Sequence, residues 1–167
     1  DVNGDGFDDI IIAAFRADPN GSQSGSSYVI FGKALGFDST INLSSLNGTT
    51  GFRLDGVAAY SESGFSVSSA GDVNGDGFDD IIVGANGAST SYIVFGKASG
   101  FASIINLSSL DGTTGFRLDG NSGRSVSSAG DVNGDGFDDL IVGAYLADPN
   151  GSDSGSSYVV FGGNFSG

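Results

Sequence analysis

The nine-residue string DVNGDGFDD occurs three times in this chain, beginning at Asp1, Asp72 and Asp131. No other feature constrains the fold as much, because everything between the copies returns in the same order. YVIFG at 28–32 recurs as YIVFG at 92–96 and YVVFG at 158–162. INLSSLNGTTGFRLDG at 41–56 recurs as INLSSLDGTTGFRLDG at 105–120, and SVSSAG stands at both 66–71 and 125–130. A fixed succession of parts at a period of this length marks a repeat architecture. It also settles a question of composition. Thirty glycines and abundant serine approach the make-up of a disordered low-complexity segment. Here the glycines recur at fixed places between apolar runs, so they read as turns. Insertions fall in polar loops, where the backbone can stay solvated.

The apolar runs are short, rich in Ile, Val, Phe and Tyr, and bounded by Gly, Asn, Asp or Ser, which is the pattern of strands. No segment reads as a helix. The stretches 33–46 and 97–110 fit either a short strand or one helical turn, and are read as loop plus edge strand. Each unit then runs SVSSAG strand, acidic loop, DIIVGA strand, polar loop, YIVFG strand, long connection, GFRLDG strand. Four antiparallel strands per unit are expected: an all-β chain of β-propeller blades, each sheet covering one face of the blade before and one of the blade after. The units divide the chain into a partial blade at 1–63, a blade at 64–122 and a partial blade at 123–167. Three units do not close a ring of about 4–8 blades. Further blades of the same chain, or other copies of it, are therefore expected to cover the open faces. A chain opening on Asp1 reads as a processed or partial one.

Within each acidic loop, oxygen-bearing positions alternate: Asp1, Asn3, Asp5, the Phe7 carbonyl and Asp9, with glycines between. Asp72, Asn74, Asp76, Phe78 and Asp80 repeat the set, as do Asp131, Asn133, Asp135, Phe137 and Asp139. Alternate oxygens in a glycine-assisted turn suit a hard cation, and calcium above all. A helix-flanked calcium loop would close with Glu at position 12, but that position is Ile12, Val83 or Val142, inside a strand. Closure at position 9 is expected instead, with about three Ca²⁺ ions, one per repeat. Asp8, Asp79 and Asp138 should point away from the ion, to solvent or a second shell. The alternative is an acidic turn needing no metal, at the cost of crowding three or four carboxylates within nine residues.

Charge and missing residue types narrow the function. Asp plus Glu number 20 against 6 Lys plus Arg, a formal charge of −14, so nucleic acid and anionic lipid are repelled. There is no His, Cys, Met or Trp, which removes imidazole and thiol catalysis, disulfides, and zinc or copper sites of the usual kind. No apolar run has the length of a membrane span. Nucleic-acid binding and membrane insertion are not expected.

At these residues the chain resembles the FG-GAP repeat family, the blades of the integrin α-subunit propeller and of many extracellular proteins. The resemblance covers nearly the whole chain, and its most specific element is the calcium signature of the three loops. It implies a seven-bladed propeller with calcium loops on one rim and a ligand surface on the other. The family's Phe-Gly stands here as Phe65-Ser66 and Arg124-Ser125, and its Gly-Ala-Pro as Ala13-Ala14-Phe15, Gly84-Ala85-Asn86 and Gly143-Ala144-Tyr145.

Other signals have plainer readings. The carboxylate pairs 8–9, 79–80 and 138–139 could serve a glycosidase, but an active site breaks repeat symmetry and these obey it. Arg-Leu-Asp at 53–55 and 117–119 enters an Asp-Gly turn. Sequons at Asn20, Asn42, Asn47, Asn106, Asn150 and Asn164 suit polar turns as well as glycosylation. Aromatics at matching phases, such as Tyr28, Tyr92 and Tyr158, read as packing between blades. The expectation is an extracellular or cell-surface module for adhesion or ligand binding, of protein or glycan. The alternative is a structural repeat of a surface layer or filament, and a distant third is the accessory propeller of a secreted enzyme. No catalytic residue is expected in this segment. The non-repeating loops 16–27, 57–63 and 146–157 are the candidates for recognition.

Overall fold

A computed structural model describes residues 1–165. The first sheet contains β1 (Ile10–Ala14), β2 (Ser26–Ile30) and β3 (Gly51–Asp55), each antiparallel to the next. The chain then passes into β4 (Ser63–Gly71), β5 (Asp80–Ala85) and β6 (Thr90–Val94). A long connection carrying β7 (Ile104–Asn106) leads to β8 (Gly115–Asp119), which completes an antiparallel sheet in the order β4-β5-β6-β8. The third sheet holds β9 (Ser125–Gly130), β10 (Asp139–Ala144) and β11 (Ser156–Val160), with β10 in the middle. The strand order within the middle unit is the one its repeated strings imply. The helical content among the described residues is three single 3-10 turns, Leu43–Ser45, Asn86–Ala88 and Leu107–Ser109.

Strand periodicity feeds two separate cores. On β5, Ile81 and Val83 face the first sheet and pack with Val29, Phe31, Phe52 and Leu54. Ile82, on the opposite face, packs with Val126, Leu140 and Val142 of the third. Successive side chains of a strand point to opposite faces, so the run DIIVGA is buried throughout because both its faces are covered. The outer faces of the first and third sheets lack such cover. Ile10 is 42% exposed and Val159 48%, although their repeat equivalents lie in a core. Tyr92 is buried, whereas Tyr158, on the inner face opposite Val142 but on an edge strand without the neighbour that β8 gives β6, is half exposed.

The long connections differ from expectation. Residues 104–106 do form an edge strand, but β7 pairs in parallel with β3 of the preceding sheet, Arg53 opposite Ile104 and Asp55 opposite Asn106. The equivalent residues 40–42 form no strand, because among the described residues no sheet edge stands beside them. The connection reaches back with an aromatic as well. Phe101 stacks on Phe52 at 4.7 Å and 6° and tilts against Phe31 at 5.4 Å. Phe165 meets Phe116 at 4.6 Å in the second sheet. Each repeat thus anchors itself in the one before it. No described helix is long and apolar enough to cross a membrane.

Candidate functional site

The three acidic loops lie at one end of the sheets: loop 72–80 joins β4 to β5, loop 131–139 joins β9 to β10, and loop 1–9 leads into β1. In loop 72–80, Asp72 Oδ1 accepts the backbone N–H groups of Gly75 at 2.7 Å and Asp76 at 3.0 Å, and its Oδ2 accepts that of Gly77 at 2.9 Å. Asn74 Oδ1 accepts the Asp76 N–H at 2.9 Å, and Asp76 Oδ1 accepts the Phe78 N–H at 3.0 Å. Loop 131–139 repeats every one of these bonds with Asp131, Asn133 and Asp135. Loop 1–9 repeats them with Asp1, Asn3 and Asp5 but lacks the bond from Gly4. Short acidic and amide side chains capture backbone N–H groups in this way and fold the turn around themselves. Hydrogen bonds from backbone N–H groups, Gly136 foremost, hold the Asp131 carboxyl below the usual carboxylate range.

Position 9 closes each loop. Asp80 Oδ2 accepts the Val73 N–H at 3.1 Å and Oδ1 the Gly96 N–H at 2.8 Å, tying the loop to the FG turn after β6. Asp9 bonds Val2 and Gly32, and Asp139 bonds Val132 and Gly162, in the same way. Asp80 and Asp139 are wholly buried. No basic side chain balances them: the ion pairs among the described residues join Asp79 to the chain's amino group, Arg53 to Asp55 and Arg117 to Asp119. Burial pushes the Asp80 carboxyl up to about 7, against the opposing pull of its two backbone bonds.

The sequence reads these loops as cation cages, and the geometry bears on that in two ways. Among the described residues, no three acidic side chains converge into a ready ligand group. The donors nonetheless fit a hard cation in kind, since all are oxygens. A carboxylate has about four lone-pair sites, so backbone bonds leave acceptor capacity. A buried carboxylate without a basic partner is a place where a cation relieves a desolvated charge.

The position 8 residues divide between solvent and a neighbouring loop. Asp8 is exposed, whereas the Asp79 and Asp138 carboxylates bond the preceding loop, Asp79 remaining 43% exposed. Asp138 Oδ2 accepts the Asp72 N–H at 2.9 Å, and Asp79 Oδ2 meets the Asp1 amino group at 2.6 Å. Strand alternation correctly turns these residues away from their own loop, but it carries no information on the neighbouring blade. The glycines of the FG strings, which donate to position 9, were also missed as parts of the site. Their signal was their recurrence in step with the acidic loops.

The weaker motifs have structural partners. Asp55 is buried, paired with Arg53 at 2.7 Å and hydrogen-bonded by Ser26 at 2.9 Å. Asn42 and Asn47 accept backbone N–H groups of their own turns, and Asn20 donates to the Gly56 carbonyl.

Three interlocked sheets of one repeated pattern, antiparallel apart from the β3–β7 pair, are β-propeller blades, and the chain belongs to the FG-GAP repeat family, whose pattern it matches over residues 1–30, 63–104 and 122–160. Among curated proteins it is similar to integrin alpha-PS5 of Drosophila melanogaster, 31% identical over 160 residues that cover 86% of this chain and 14% of that protein. It is also similar to integrin alpha-IIb of Mus musculus, 31% identical over 88% of this chain and 14% of that protein. Integrin alpha-4 of Xenopus laevis is 27% identical over 89% and 14%. The chain therefore spans only a small part of the length of the relatives it matches.

The raised Asp80 carboxyl leads to a pH prediction. A carboxyl held above its unfolded value favours the folded state most when protonated. Without divalent cations, its contribution is complete below about pH 4 and falls as pH rises toward 7. Urea midpoints of the chelated chain from pH 4.5 to 7.5 should show this fall, and D80N should lack it. A cation held at Asp80 would favour the ionised form and should cancel the fall.

Proposed function

We propose that this chain is part of a calcium-stabilised extracellular β-propeller that binds a protein or glycan ligand in adhesion. The supporting observation is the division of labour between its two ends. At one end stand three near-identical acidic loops, whose oxygens would hold one Ca²⁺ each: Asp1, Asn3, Asp5, the Phe7 carbonyl and Asp9, and their equivalents at 72–80 and 131–139. Bound calcium supplies charge compensation and cross-linking, and it fastens each loop to the strands that flank it. At the other end the repeats diverge. Loop 57–63 lies on loop 16–27 through the bonds Tyr60 N–H to the Ser22 carbonyl at 2.7 Å and Glu62 N–H to the Gln23 carbonyl at 2.9 Å. Beside them, Phe15 packs edge-on to Phe65 at 5.3 Å, and the Arg124 guanidinium lies over both Phe65 and Tyr145. This row crosses all three sheets on residues that depart from the repeat. Recognition needs such distinctive side chains, whereas packing alone does not.

The blades are assigned to 1–63, 64–122 and 123–167, within a ring of seven. No chemistry of bond making is assigned to this segment. The test is adhesion of the calcium-loaded chain to surfaces coated with a panel of matrix proteins and glycans. Binding to one of them that drops at least tenfold in Y145A, with unchanged melting, supports the reading. Binding that survives Y145A but fails on altering the acidic end contradicts it.

A scaffold role is favoured by a separate observation. The uncovered faces bearing Ile10 and Ile12 on one side, and Ile141 and Val159 on the other, match faces that are buried between the sheets. Further blades or another copy would cover them.

A further inference from the structure

We propose that two of the acidic loops are completed for their cations by the repeat that follows, with Asp138 and Phe137 as positioning residues for loop 72–80, and Asp79 and Phe78 for loop 1–9. The proposal rests on the calcium reading above and adds residues outside each loop's own nine.

The geometry is the same at both junctions. Asp138 holds both backbone polar atoms of Asp72: its carboxylate accepts the N–H at 2.9 Å, and its own N–H donates to the carbonyl at 3.0 Å. Gly163 N–H bonds the Val73 carbonyl at 2.9 Å. The Phe137 ring covers Gly75 so closely that a Cβ there would fall on the ring. At the earlier junction Asp79 N–H bonds the Asp1 carbonyl at 3.2 Å, Lys97 N–H bonds the Val2 carbonyl at 3.0 Å, and the Phe78 ring covers Gly4. Gly71 makes room for the clasp, since a Cβ there would strike the Asp138 carboxylate.

Asp72 is the residue whose carboxylate gathers the N–H groups of Gly75, Asp76 and Gly77. Fixing its backbone from both sides orients that carboxylate, and the second negative charge of Asp138 stands beside the loop without belonging to it. Groups that hold a ligand in place in this way change metal affinity by about 10–100-fold when removed. Loop 131–139 has no such clasp among the described residues, and Gly134, unlike Gly4 and Gly75, faces open space. Three loops of identical sequence thus differ in this outer contact: among the described residues loops 1–9 and 72–80 are clasped from the following repeat and loop 131–139 is not.

The test is a calcium titration of the isotopically labelled full chain followed by nuclear magnetic resonance. The Gly6, Gly77 and Gly136 amides each bond to position 1 of a different loop and report on that loop. In the unaltered chain, Gly136 should titrate at higher calcium than Gly77. D138A should raise the Gly77 midpoint about tenfold while Gly6 stays put, and D138N, whose amide oxygen still accepts the Asp72 N–H, should recover most of that loss. F137L, although it lies in loop 131–139, should move Gly77 more than Gly136. The proposal is overturned if Gly77 does not respond to D138A or F137L in a dispersed, folded spectrum. It is also overturned if all three midpoints move together, as general destabilisation would have them do. If no amide of the unaltered chain titrates at millimolar calcium, the calcium reading falls and this one with it.

Discussion

Chelating calcium from the purified chain lowers its melting temperature by on the order of 10–20 °C. The estimate comes from mass action. Extracellular calcium modules bind at about 10⁻⁴–10⁻³ M, so at a few millimolar each of three sites contributes about 1–2 kcal/mol. For a chain of this length each kcal/mol is worth about 2–4 °C. Electrostatics act in the same direction, because three divalent ions would cancel nearly half of the −14 charge and reduce self-repulsion of the folded state. Magnesium at equal concentration should restore little, since it demands a tighter octahedral shell and sheds water reluctantly. Calorimetric scans with and without chelator, at constant ionic strength, separate this from simple screening. Equal melting temperatures would remove calcium from the account.

F52A should be the most damaging single truncation, costing about 3–5 kcal/mol in urea unfolding. Phe52 is wholly buried, stacked on Phe101 from the following repeat and edge-on to Phe31 at 5.8 Å. Its removal opens a cavity where the connection is anchored to the preceding sheet, so β7 should loosen as well. Its repeat equivalent Phe116 is only half-buried, and F116A should cost clearly less. Both rings are met by an aromatic of the following repeat, so equal losses at the two positions would mean that the deeper burial of Phe52 adds nothing.

That interlock marks the limit of what the chain's own sequence discloses. The strands were legible because short Val- and Ile-rich runs between glycine turns recur in register, and the order β4-β5-β6-β8 follows from the order of the strings. Burial of DIIVGA on both faces was implied by its lack of polar alternation. The parallel pairing of β7 was not legible. Ile104-Ile105-Asn106 reads as an edge strand, but which edge it joins depends on where the connection crosses in space. The same holds at the acidic loops. Alternating Asp, Asn and Asp marked a glycine-assisted turn rich in oxygens, but not that those oxygens accept the turn's own backbone N–H groups. The clasp from Asp138 to Asp72 joins residues far apart in the chain, and nothing in the dipeptide Asp138-Asp139 distinguishes it from a solvent-facing carboxylate beside a buried one.

A crystal structure of the chain grown in millimolar calcium, with anomalous scattering data, tests cation capture by the three loops most directly. The expected result is one anomalous peak inside each DVNGDGFDD loop, about 2.3–2.6 Å from oxygens of positions 1, 3, 5, 7 and 9. Well-ordered loops without such a peak, their carboxylates engaged only by backbone N–H groups, would contradict it.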